Sequence, residues 1–375
     1  MQQIRLWHSI PLTNFIRLLM PTETHIFRQY RAEKRSRAMN SHQNNTGHPY
    51  HSIQVPGDAP FRLGVSPGKG WGAFATRKIS KGETILQEKP LFVIRKPHRM
   101  IEERDVLAAY YALSKKEKSQ FLIVRDNGDG IFPTKERAFA ENSFAIPAQP
   151  GMAHGFFLLH SRFNHSCLPN CKITDEAQAG DCMASYATCD IEVGAEILFC
   201  YEPDFDYRTR DDRHRILRFE CTCRACDQTS DFHVLSDMRR ILMRGLDYLN
   251  SGHDLDDSLH GSRTRPIIAN AGLRQAAETY SILLSSRFIY NVLMMALCEQ
   301  EGLLDEFVEK RMWPGLMGMA QSFGTQSNRE VAGLALARKS WTENFVVSSC
   351  IWGLHDAADT AFAQHYRLLA SDGQR

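Results

Sequence analysis

Cys221-Thr222-Cys223-Arg224-Ala225-Cys226 is the feature that most limits how this chain can fold. Three thiols at C-x-C-x-x-C spacing are one short of a closed tetrahedral zinc site. A fourth soft ligand has to come from elsewhere, so this segment must be tied to a distant one. Ten cysteines are present; none precedes Cys167, and eight fall between Cys167 and Cys226. An even count can also mean disulfides, which suit small secreted chains. At 375 residues and without a convincing secretory signal, the chain fits metal in a reducing compartment better.

The composition, 43% hydrophobic and 23% charged, is that of an ordinary globular protein, and the length suggests two domains. A net charge of +2 is too balanced for wholesale nucleic-acid binding, so no direct nucleic-acid contact is expected. There is no run of 18 apolar residues, so no membrane-spanning helix is expected. Residues 1–38 carry Arg5, Arg17, Arg28, Arg31, Lys34, Arg35 and Arg37 against Glu23 and Glu33. Such a start suits a mitochondrial presequence. The favoured reading is a disordered or wrongly predicted start with Met39 as an alternative initiator, and Arg31 to Arg37 is a weak nuclear-import pattern. Residues 40–58, rich in Asn, His, Gly and Pro, read as linker, which makes residues 1–58 a disordered or targeting segment.

From Phe61 the pattern becomes β-rich. Short strands are expected at Phe61–Val65, Ala73–Thr76, Thr84–Glu88 and Leu91–Ile94, with turns at Ser66–Gly72 and Ser80–Glu83. Residues 101–140 switch to helical spacing, with Val106, Leu107, Tyr110, Tyr111 and Leu113 on one face. Strands return over residues 156–202, clearest at Ser185–Thr188 and Glu196–Tyr201. Beyond Cys226, helices are expected at Val234–Asn250, Arg274–Gln300, Leu303–Phe323, Asn328–Phe345 and Val346–Tyr366. Breaks are expected at Ser251-Gly252, Gly302 and Phe323-Gly324. Short turns between such helices suggest a stack of helical hairpins.

Four blocks stand in a telling order: Gly68-Lys69-Gly70-Trp71-Gly72-Ala73-Phe74-Ala75-Thr76, Asn142–Ile146, Asn164-His165-Ser166-Cys167-Leu168-Pro169-Asn170, and Glu196–Tyr201 followed by the cysteine triad. With them the chain resembles SET-domain lysine methyltransferases over about residues 61–226, in particular the SET-and-MYND group and related fungal SET-domain proteins. The resemblance implies an α+β fold: a β-rich SET domain (β-clip with a pseudoknot) at 59–204, with a helical insert at about 101–140. A post-SET zinc knot at 205–228 and a C-terminal α-helical hairpin region at 229–375 would follow. In that fold the Asn164–Ser166 and Tyr201 stretches would lie side by side. Two departures are visible. No cysteine follows Ile94 in the insert, so the MYND zinc module is missing, and there is no pre-SET cysteine cluster.

The resemblance also implies a chemistry, methyl transfer from S-adenosylmethionine to a lysine amine. Backbone carbonyls of Lys69 and Trp71 would approach the cofactor's ammonium, with Gly70 and Gly72 allowing the close passage. A plain glycine hairpin would use the same residues. Asn164 and the backbone at His165 would hold the methionine and adenine parts, with His165 structural rather than a base. Asn142 and Ser161 match positions at the cofactor's amino-acid end. Tyr201 would be catalytic, orienting the amine while its ring walls a narrow channel that desolvates the lysine. Phe219 would stack on adenine or line that channel, or simply pack. Cys167 would join Cys221, Cys223 and Cys226 around one structural zinc. Cys171, Cys182, Cys189 and Cys200 are then expected to be mostly buried small apolar residues. Glu196 reads as structural, and His154 and His160 lack ligand spacing.

The expected activity is therefore protein-lysine N-methylation of a histone or non-histone protein, by a monomer in the nucleus or cytoplasm. A catalytically weak SET-fold interaction module is the rival reading. The substrate, its lysine and the degree of methylation carry no readable code.

Overall fold

A computed structural model describes residues 47–125, 130–147, 152–173, 181–217, 219–251, 283–356 and 358–359. The presequence reading of residues 1–38, the break at Ser251-Gly252, the start of the helix expected from Arg274 and the end of that expected to Tyr366 lie outside these residues. The chain divides into two units: Met1–His165 with Pro169–Phe199, and Ser166–Leu168 with Cys200–Arg375.

The first unit holds, among the described residues, ten short strands: β1 Phe61–Ser66, β2 Gly70–Ala75, β3 Thr84–Glu88, β4 Val93–Ile94, β5 Ser143–Pro147, β6 Met152–Phe156, β7 Asn164–His165, β8 Cys171–Ile173, β9 Met183–Ala187 and β10 Glu196–Phe199. They form three small sheets, ordered β1-β2-β10-β7, β3-β9-β8 and β4-β6-β5. The hairpin from β1 to β2 turns through Gly68 and Gly70, both with φ near +75°, a conformation that glycine adopts without a Cβ penalty. β10 runs antiparallel to β2 and parallel to β7, pairing Leu198 with Asn164 and Phe199 with His165. Ala73, Ile85, Phe156, Phe163 and Ile197 are buried in one core that the sheets share.

The helical insert contains α1 Glu103–Ala112, α2 Lys115–Leu122 and α3 Lys135–Asn142. Ser114 accepts from Glu117 N while Glu117 accepts from Ser114 N, and this reciprocal cap starts α2. Thr134 caps α3 one way, its Oγ1 accepting from Arg137 N. Val106, Phe121 and Phe139 carry the insert into the core.

One correction concerns the N-terminal stretch. Part of the expected linker is packed: Pro49–Ser52 form a 3-10 turn, and Tyr50 and Ile53 are core residues. Its polar composition hid two anchors, because two buried side chains suffice to order a segment this short.

The second unit is helical: α4 Arg210–Leu217, α5 Asp231–Ser251, α6 Leu284–Glu301, α7 Glu306–Ser322, α8 Gln326–Leu336 and α9 Trp341–Ser348. That makes nine α-helices among the described residues. α6 is buried along most of its length, including Leu284, Phe288, Ile289, Val292 and Met295, and packs against α5, α7 and α9. Gly302, at φ +78°, ends it, and Asp305 accepts from Val308 N to start α7. The helix expected over Asn328–Phe345 is two helices. Ser340 accepts from Glu343 N and starts α9 afresh, a local side-chain bond that outcompetes helix continuation. The first part of the next expected helix, from Val346, is the end of α9 followed by a 3-10 turn at Ser349–Ile351. No described helix is long and apolar enough to cross a membrane.

Candidate functional site

In the first unit, three of the motif blocks meet at the Asn164 side chain. Its Nδ2 donates to the Trp71 carbonyl at 3.1 Å and to Glu196 Oε1 at 2.7 Å. Glu196 Oε2 takes Lys69 Nζ at 3.2 Å. A Cβ on Gly72 would stand 2.5 Å from Glu196 Oε1 and 2.9 Å from Asn164 Nδ2, so this approach needs glycine. Asn170 holds the next rung, accepting from Leu198 N and donating to Glu196 O. Glu196 thus works as a brace for Lys69 and Asn164. The Trp71 carbonyl, with one lone pair used, keeps another for a cationic group. His165 is buried in the β7–β10 pairing.

Asn142 and Ser161 come together too, but through a residue the sequence reading passed over. The buried Arg162 guanidinium donates to Asn142 Oδ1, Ser161 Oγ and Tyr50 Oη. Tyr50 Oη also accepts from Arg125 N at 2.8 Å. Asn142 Nδ2 donates to Ala138 O at 2.8 Å, so both ends of this amide have protein partners. Residues beside Tyr50 frame Trp71: His48 stacks on it at 4.5 Å and His51 meets it edge-on at 4.8 Å. An aromatic at position 50 inside a polar stretch was the one available signal.

His160 is fully buried between Glu88 and Ser185, with its ring nitrogens 2.8 Å from Glu88 Oε2 and 3.2 Å from Ser185 Oγ. The order resembles a charge relay, but Ser185 is also fully buried, and Glu88 spends its carboxylate on Leu159 N and His160 N as well. The trio ties β3 and β9 to the turn at His160–Arg162. A polar cavity of about 400 Å³, lined by residues including Gln54, Glu88 and Lys116, touches none of the residues singled out from the sequence.

In the second unit, Cys167, Cys221, Cys223 and Cys226 converge, with all four sulfurs within 4.8 Å of one another. Cys167 and Cys226 sulfurs are 3.6 Å apart, far beyond a disulfide bond of about 2.05 Å. Tetrahedral Zn–S bonds of about 2.3 Å place sulfurs about 3.8 Å apart, so the set fits that ion. Cys223 is pulled down to about 7, chiefly by hydrogen bonding from Cys167, whereas Cys167 is pushed up, chiefly by its bond with Cys221. Four sulfurs this close share charge unequally unless a cation balances them. The four residues can hold a metal ion.

Tyr201 and Phe219 also meet in this unit, edge to face with centroids 6.5 Å apart, and at 42% and 39% exposure they are open to solvent. The remaining cysteines need correction. Only Cys171 of the four expected to be mostly buried is so; Cys182 and Cys200 are half-buried and Cys189 is exposed, because Thr188–Asp190 is a surface turn.

Residues 70–202 match the SET domain family model. A histone-lysine N-methyltransferase, set5, of Schizosaccharomyces pombe is 33% identical over 48% of this chain and 54% of its own length. A methyltransferase of Gibberella zeae is 32% identical over 53% of this chain and 36% of its own. The chain thus spans about half the length of the first relative and about a third of the second. One solved Plasmodium falciparum chain is 18% identical over 40% of this chain, with a TM-score of 0.23, too low to bear on the fold. With three motif blocks assembled on the β2–β10–β7 sheet and the family model matching the same stretch, residues 70–202 belong to the SET domain family.

Proposed function

We propose that the chain is a protein-lysine N-methyltransferase that uses S-adenosylmethionine and carries one structural zinc. The observation that supports this most is the Asn164 amide bridging Trp71 and Glu196, which brings glycine loop, Asn-His block and β10 to one point. When bound, the cofactor would supply an electrophilic methyl on sulfur for a neutral lysine amine. Trp71 O would receive its ammonium, while Asn164 sets the direction of that carbonyl. Asn142 and Ser161, held by Arg162, shape the wall from behind rather than spending their own bonds on ligand. Tyr201 is the catalytic residue: its phenol orients the incoming amine, and its ring, open to solvent beside Phe219 without substrate, walls the lysine once the substrate is bound. Positioning and desolvation of this kind supply much of the rate. Cys167, Cys221, Cys223 and Cys226 would hold the zinc; four thiolates complete a tetrahedral set, which would make its part structural. The substrate is a protein lysine, histone or non-histone.

The test is radiolabelled methyl transfer into core histones and whole-cell extract, comparing wild type with Tyr201→Phe. Label with wild type alone supports the reading, and turnover should fall far more than cofactor affinity. Absence of both label and cofactor binding in zinc-loaded protein moves the reading to a non-catalytic interaction module.

A further inference from the structure

Three arginines are buried in the second unit beside the cysteine cluster: Arg213 on α4, and Arg239 and Arg240 on α5. A guanidinium does not lose its charge in a protein, so each must find anionic or carbonyl partners. Arg213 finds sulfur. Its Nε stands 3.2 Å from Cys167 Sγ and its Nη2 stands 3.4 Å from Cys226 Sγ. Its remaining donors reach the carbonyls of Arg208 at 2.5 Å and Ala225 at 3.3 Å. The Asp237 carboxylate lies farther off at 3.6 Å, partly exposed, and is also bonded by Arg210 N. Neutral thiols are weak acceptors, whereas thiolates accept strongly from cations. A buried fork aimed at two sulfurs is suited to a thiolate set.

Arg240 takes the same ligand from its backbone side. Its Nη2 donates to the Cys167 carbonyl at 2.9 Å and its Nη1 to the Phe205 carbonyl at 2.6 Å. Its Nε is 3.0 Å from Glu301 Oε1, at the end of α6, with Ser236 on the same oxygen. Arg239 binds the other oxygen of Glu301 at 3.2 Å. Cys167 is thereby gripped at both ends, its sulfur by α4 and its carbonyl by α5, whose Arg240 is braced by Glu301 of α6.

We propose that Arg213 and Arg240 are positioning residues of the metal site, and that the helical region retains the ion by fixing Cys167 through them. The inference rests on reading the cysteine cluster as a metal site. A divalent ion with four thiolates keeps a net negative charge, and Arg213 offsets it inside the protein. Arg240 keeps Cys167 pointed inward when the other three ligands, close in sequence, could recruit a different donor. Outer partners of this kind are generally worth about 10–100-fold in metal affinity.

The experiment is zinc competition against a chromogenic chelator with the full chain. Arg213→Gln is expected to weaken zinc retention about 10–100-fold. Arg213→Lys, which keeps the charge but loses the fork, should fall between Gln and wild type. Arg215→Gln, an exposed change on the same helix, should match wild type. Equal zinc affinity in wild type and Arg213→Gln overturns the inference and leaves the metal site standing. Wild type that holds no zinc, or that keeps full stoichiometry as Cys167→Ser, overturns the metal reading itself. Should Arg213→Gln not fold, hydrogen exchange on wild type decides. Chelation should strip protection from α5 around residues 236–240 and from the end of α6, and unchanged protection there overturns the inference.

Discussion

Asn164 and Cys167 stand three residues apart, yet their surroundings are built by different physics. Around the Asn164 amide the partners are a backbone carbonyl, one carboxylate and a glycine that makes room, all arranged by strand pairing. Around Cys167 they are four sulfurs and buried guanidiniums. The first set is satisfied by the protein alone. The second concentrates like-charged donors that repel once ionised, so its geometry calls for a cation. A short motif can therefore carry one half that folds by hydrogen bonding and another that folds by charge neutralisation.

The largest expected effect probes that contrast directly. Zinc removal, or Cys167→Ser, should cost the helical unit several kcal/mol, on the order of part of a structural zinc's binding free energy. Thermal melts followed at α5 and α6 would read it, and a melt insensitive to chelator would erase the distinction. Gly72→Ala comes next. Its Cβ would press on Glu196 and Asn164, costing about 1–3 kcal/mol in chemical denaturation. Zinc content should stay unchanged; a parallel loss of zinc would mean that the two surroundings act as one. Tyr50→Phe removes an acceptor from Arg162 and Arg125 and should cost about 1–2 kcal/mol, weakening cofactor binding more than zinc retention.

The smallest effect lies far from both. Asp105 is held below its ordinary carboxylate value by its bond to Lys96, then by that to Glu102 N. A depressed carboxylate contributes stability above its unfolded pKa and loses it as pH falls through the folded value. Acid titration should thus loosen α1 below about pH 4, in the range of an ordinary aspartate. Lys96→Ala should shift that midpoint upward, as NMR titration of Asp105 would show.

Much of the first unit was legible before any coordinates. Thr84–Glu88 forms the expected strand because alternation and flanking turns are local signals. The insert was recognisable as helical, though its breaks depended on caps at Ser114 and Thr134 that compete with continuing turns. The same weakness explains the single helix expected over Asn328–Phe345, where Ser340 could sit mid-helix or restart one. Asn142 and Ser161 are joined through Arg162, which looks like an ordinary surface arginine in a linear reading.

By itself, the sequence determined the β-rich region, the glycine turn at Gly68–Gly72, the set of sulfurs and the SET domain at residues 70–202, because these depend on spacing and on residue chemistry that travels with the motif. Only the tertiary structure decided that β7 and β10 run parallel, that Tyr50 is a core residue, and that Arg213 and Arg240 face the cysteines. An arginine's position on a helix says nothing of burial when its partners come from distant segments. Burial of charge is a property of the assembled interior, and only the assembled interior reveals which ionic groups it has brought together.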